Sequence, residues 1–157
     1  FEPRVLEAVE ERNEAQKAVV FDKIRRLFDG ALSGRTFALW GLAFKPQTDD
    51  MREAPSLEIV PALQAAGAKL RAYDPAGQEE AKKLLEDIVW CGGAYEALEG
   101  ADAVVIITEW NAFRALDLER VKALMAAPVM IDLRNVYDPD EMAAAGFRYV
   151  CVGRPGS

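Results

Sequence analysis

Lys45, Arg52 and Arg134 are the side chains whose type and placement best suit binding chemistry. Lys45 and Arg52 lie in the stretch GLAFKPQTDDMREAPS (41–56), which follows an apolar run, TFALW (36–40), and precedes an amphipathic helical pattern. Arg134 lies in DLRN (132–135), at the end of another apolar run. Each alone is more readily a solvated surface charge than a ligand contact. Together, at the ends of apolar runs in a chain of net charge −7, they point to an anion site. A diphosphate is the natural candidate, because Arg forks onto phosphate oxygens and Lys supplies a point charge.

The 41–52 stretch stands where a dinucleotide fold holds its phosphate loop, yet it carries Gly41 alone where that fingerprint wants three glycines. A backbone cradle is therefore not expected, and side chains must do the holding. Asp74 ends KLRAYD (69–74), where a dinucleotide fold keeps its ribose acid, but Asp74-Pro75 reads better as a turn. Asp49 and Asp50 are expected to brace the basic side chains rather than hold a metal. Cys91 and Cys151 sit inside apolar runs with no base nearby and read as reduced core residues. The chain has no histidine, which closes the commonest general-base and metal-ligand options. No catalytic or metal-ligating residue is assigned.

The elements that must carry these residues alternate along the chain. β-rich apolar runs fall at 36–41, 69–74, 87–91, 102–108, 128–133 and 148–153, with helical patterns at 56–67, 77–86, 94–100, 117–126 and 139–146. This predicts a Rossmann-like three-layer α/β sandwich with a mostly parallel six-stranded sheet, binding ligands beyond the carboxyl ends of its strands. Pro61 is expected to kink the 56–67 helix. Before the sheet, residues 3–32 read as one long helix ended by Gly30 and Ser33-Gly34. Its midsection, ERNEAQK (11–17), is polar on every face. Two readings stand: a surface helix of its own domain, or the end of a helix packed on another domain or subunit.

With 157 residues the chain can hold one well-packed domain. An acidic chain without a basic cluster argues against nucleic acid and anionic membrane as partners. No apolar run approaches the ~20 residues of a membrane span, and no signal peptide opens the sequence, so a cytoplasmic location is expected. The chain begins at Phe1 and is expected to be a piece of something longer.

GLAFKPQTDDMREAPSLEI, with YDP (73–75), ADAVVIITEW (101–110) and IDLRNVYDP (131–139), closely resembles the carboxyl-terminal domain of the UDP-glucose/GDP-mannose dehydrogenase family. Asn13-x-x-Gln16 resembles the end of that family's long central helix, so the similarity spans the chain. The wording is closest to the bacterial UDP-glucose 6-dehydrogenase branch; the GDP-mannose branch more usually reads GLSFKAGTDDLRESP. The resemblance implies a nucleotide-sugar (UDP)-binding domain over 35–157, preceded in 1–32 by the end of a dimerisation helix. It implies that Phe44, Lys45 and Arg134 bind UDP-glucose or a related nucleotide sugar, Lys45 at the phosphates. Arg52 matches the arginine that reaches across to NAD. Members oxidise the sugar C6 hydroxyl to a carboxylate in two NAD-dependent steps on a catalytic cysteine, and the full-length protein is expected to be a homodimer. The GGSCFPKD-like cysteine motif and the amino-terminal NAD domain are not in this stretch, so the piece alone is expected to be inactive. A sister enzyme acting on UDP-N-acetylmannosamine or GDP-mannose, and a stand-alone α/β binding domain, are the alternatives.

Overall fold

The computed structural model describes residues 21–42, 56–108, 110–134 and 136–151. The expected helix over 3–20, and Phe44, Lys45, Asp49, Asp50 and Arg52, lie outside the described residues. Six strands form one parallel sheet: β1 (Thr36–Trp40), β2 (Lys69–Tyr73), β3 (Ile88–Trp90), β4 (Ala103–Ile106), β5 (Val129–Asp132) and β6 (Arg148–Cys151). Their order is β3-β2-β1-β4-β5-β6, with every neighbouring pair parallel.

The strands form because their runs are apolar on both faces, as a sheet covered by helices on both sides requires. Successive residues feed two separate cores. Phe37, Leu39, Leu70, Ala72, Val105 and Ile131 meet Ile59, Val60 and Leu63 of α2 (Ser56–Ala65) on one side. Ala38, Trp40, Val104, Ile106 and Met130 face the other side. There they meet Ala97 and Leu98 of α4 (Ala94–Leu98), Phe113 of α5 (Asn111–Arg114), Val121 of α6 (Leu118–Leu124) and Met142 of α7 (Pro139–Ala144). The short α3 (Gln78–Lys82) adds Ala81 to the first core. Trp40 is fully buried, stacks on Phe113 at 5.1 Å and donates its indole N–H to the Ala94 carbonyl at 3.1 Å.

Three helix ends explain how the chain enters and leaves these layers. The helix α1 (21–27) stops earlier than its hydrophobic pattern predicts, at 27 rather than 32. Asp29 and Gly30 take left-handed conformations, φ 52° and 79°. Their N–H groups donate to the Arg26 and Arg25 carbonyls, which closes the last turn. At the other helices Asp117 and Asp138 cap α6 and α7 through their side chains, and Pro139 follows Asp138 at the first helical position. Pro61 does not break α2, which continues to Ala65. Pro61 is on its exposed side, and what the helix loses there is the bond to the Leu57 carbonyl.

The described part of α1 belongs to the first core. Ile24 is fully buried against it, and Phe21, Leu27 and Phe28 pack at its margin. Lys23 donates to the Cys151 carbonyl at 3.1 Å, and Arg148 donates to the Leu27 carbonyl at 3.2 Å. Truncating Ile24 to alanine should therefore lower stability by about 2–4 kcal/mol in a denaturant titration. A loss below about 1 kcal/mol, the range of a surface change, would mean that α1 is an appendage rather than part of the core.

Candidate functional site

In a doubly wound sheet, ligands enter where the strand order reverses, beyond the carboxyl ends of the strands. Here that point lies between β1, which continues to β2 on one side, and β4 on the other. The residues leaving β1 are Gly41 and Leu42, both buried. Gly41 has φ 83°, and a Cβ placed on it would come within 2.6 Å of Thr108 Cβ and 2.9 Å of the Thr108 backbone nitrogen and oxygen. The exits of β1 and β4 are thus pressed together, and only a residue without a side chain fits between them.

Beside this contact stands Asp74, 3% exposed at the end of β2. One carboxylate oxygen accepts the Leu42 N–H at 2.6 Å, and the other accepts those of Ala76 at 2.8 Å and Gly77 at 2.5 Å. The turn expected at Asp74-Pro75 is present, but the same carboxylate also grips the exit of β1. The Leu42 carbonyl is held as well: the buried Ser56 hydroxyl donates to it at 2.7 Å. Leu42 and Ser56, the described residues on either side of the 43–55 stretch, are therefore tied directly to each other. These charge-assisted bonds hold a carboxylate that would otherwise be costly to bury.

A second buried carboxylate ends β5. Asp132 is fully buried; its Oδ1 accepts the Arg134 N–H at 3.0 Å, and its Oδ2 accepts the Tyr137 N–H at 3.0 Å. The Tyr149 hydroxyl lies 2.6 Å from Oδ2 and 3.0 Å from the Tyr137 carbonyl. It has one proton, and the shorter approach to the carboxylate takes it. Tyr137 in turn donates its hydroxyl to the Phe113 carbonyl. Burial first, then the charge of Asp132, raises the Tyr137 phenol above its ordinary pKa, so it stays protonated and keeps donating.

Of the residues that sequence reasoning put forward, Arg134 is described: it is exposed, in the turn beyond β5 at the same sheet edge as Gly41 and Thr108. Phe44, Lys45 and Arg52 lie outside the described residues. Cys91 and Cys151 are buried free thiols, as expected of core residues. Burial raises the Cys91 pKa against the opposing pull of Arg71, which leaves it a poor nucleophile. Ser56, Asp132, Tyr137 and Tyr149 were not singled out from the sequence. A signal for the aspartate was present, because an acid closing an otherwise apolar strand must find donors.

A doubly wound parallel sheet, with Gly41 against Thr108 and the buried Asp74 at its reversal point, defines a Rossmann-like α/β domain. The chain belongs to the UDP-glucose/GDP-mannose dehydrogenase family: residues 38–139 match the model of that family's UDP binding domain. It is 47% identical over 152 residues to the UDP-glucose 6-dehydrogenase of Rhizobium meliloti, covering 97% of this chain and 35% of that protein. It is 44% identical over 161 residues to the UDP-glucose 6-dehydrogenase of Pseudomonas aeruginosa, covering 99% and 36%. Its fold matches a UDP-glucose dehydrogenase from Pyrobaculum islandicum with a TM-score of 0.74 at 27% identity, over 92% of this chain and 31% of that one. The chain thus spans about a third of the length of these relatives.

The Gly41–Thr108 contact sets the geometry of the edge, and Gly41→Ala should disrupt it. Positive φ and the clash with Thr108 backbone together should cost roughly 2–5 kcal/mol. Thermal unfolding of the variant measures this, and a midpoint equal to that of the parent chain would show that the two strand exits can separate freely.

Proposed function

We propose that this chain is the carboxyl-terminal, nucleotide-sugar-binding part of a UDP-glucose 6-dehydrogenase, the enzyme that converts UDP-glucose to UDP-glucuronate with two NAD. The observation that carries the reading is the strand-reversal point held by Asp74, Leu42 and Ser56, in a chain 47% identical to such an enzyme. A tie of that kind fixes both flanks of the 43–55 stretch at the place where a doubly wound sheet receives its ligand. In this reading Phe44 and Lys45 meet the nucleotide sugar, Lys45 at the diphosphate, and Arg134 joins them from the β5 side. Residues 35–157 are the binding domain and 1–32 the end of a dimerisation helix in a cytoplasmic homodimer.

NAD, which accepts hydride in this chemistry, does not fit the described residues as a resident group. The 41–52 stretch carries Gly41 alone where a pyrophosphate turn uses three glycines. Asp74, in the ribose-acid position, already accepts three backbone N–H groups. Both observations support a cofactor cradle on another part of the full-length enzyme, with Arg52 reaching toward it. The nucleophile belongs elsewhere too, since Cys91 and Cys151 are buried.

Calorimetric titration with UDP and GDP tests the reading. UDP should bind more tightly than GDP, and Lys45→Ala should weaken UDP binding by about 1.5–3 kcal/mol, the worth of a charge-assisted bond. Equal affinity for the two nucleotides would sink the UDP assignment. An unaltered affinity in Lys45→Ala would remove the phosphate role of that lysine.

A further inference from the structure

Arg134 reaches the proposed diphosphate from a turn, and an arginine on a loose turn loses much rotamer and backbone freedom when it captures a ligand. The turn beyond β5 is not loose. Leu133 still donates to the Ile106 carbonyl of β4 at 3.1 Å, so the chain leaves the sheet in register. One residue further, the Arg134 N–H is taken by Asp132 Oδ1, and the turn closes at Tyr137, whose N–H returns to Oδ2 of the same carboxylate. The Tyr149 hydroxyl, from β6, fixes the carboxylate itself. The Tyr137 hydroxyl ties the far end of the turn to the Phe113 carbonyl of α5. Arg134 is thus anchored from β4, β6 and α5 at once.

We infer that Asp132 is a positioning residue for Arg134: a buried carboxylate whose role is to hold the arginine's backbone where its guanidinium meets the diphosphate. The inference rests on the reading above, in which Arg134 binds that group. Two physical points favour it over mere strand termination. A carboxylate is an expensive way to end an apolar strand, because it must be desolvated, and a turn residue such as Gly or Asn would end it without that penalty. Moreover, the carboxylate spans the turn, one oxygen holding the Arg134 N–H and the other the Tyr137 N–H, with the Tyr149 hydroxyl fixing it from β6, which is more than ending a strand requires.

A double-mutant cycle on UDP affinity separates positioning from general support. Arg134→Ala should weaken UDP binding about tenfold or more, the worth of a charge-assisted phosphate contact. Asp132→Asn should weaken it severalfold when Arg134 is present and have no further effect in the Arg134→Ala background. Equal losses in both backgrounds, or no loss in either, would overturn the inference. Should Asp132→Asn fail to melt cooperatively, Tyr149→Phe decides instead, since it keeps the carboxylate and both amide bonds. The same dependence on Arg134 is expected of it, and a loss independent of Arg134 counts against positioning. Failure of the underlying reading looks different: the unmodified chain would not bind UDP, or Arg134→Ala would bind it unchanged.

Discussion

A carboxylate taken out of water must be surrounded by donors, and in this domain the donors are largely the backbone amides of chain leaving the sheet. Asp74 gathers the N–H groups of Leu42, Ala76 and Gly77, and Asp132 those of Arg134 and Tyr137. The requirement is mutual. Amides at the ends of buried strands have lost their ladder partners and need acceptors, while the carboxylates need donors. Meeting both demands with one group makes the ends of β2 and β5 the fixed points from which the neighbouring loops depart.

Those fixed points work because the sheet behind them is rigid. The central strands β1, β4 and β5 alternate their side chains between two separate cores, so a slip in register by one residue would exchange the contents of both. Phe37 and Leu39 cannot trade places with Ala38 and Trp40 without a large volume mismatch. Trp40 illustrates the coupling between core and rim. It lies one residue before Gly41, stacks on Phe113 and accepts on its carbonyl the N–H groups of Ile107 and Thr108. The position of the β1 exit is thereby set by packing well below the surface.

Much of this was legible in the sequence. All six strands and five of the helices fall where apolar runs and helical periodicity put them, because buried parallel strands read as continuous apolar segments. The runs overshot at Asp74, Thr108 and Leu133, which lie past the last paired residues of their strands. Helix α5 was missed, since four residues are too few to show a period. Arg134 could be named from its charge and place. Ser56 could not be given a role, because its partner is a strand exit distant in sequence, and Asp132 could be given one only in part, because the Tyr149 hydroxyl reaches it from β6. A long-range hydrogen bond leaves no local pattern, whereas an alternating strand does.

The bonds from Lys23 to the Cys151 carbonyl and from Arg148 to the Leu27 carbonyl join groups 128 and 121 residues apart. During synthesis this clasp cannot close until β6 has left the ribosome, so the polar seat of α1 is among the last pieces of the domain to be completed. Until then the polar groups of α1 that grip β6 have only water as a partner. The order of events follows from chain direction alone. A truncation that removes β6 would leave α1 without this seat and, by losing Tyr149, would release the Asp132 carboxylate, which pairs with Cys151 in the same strand pair.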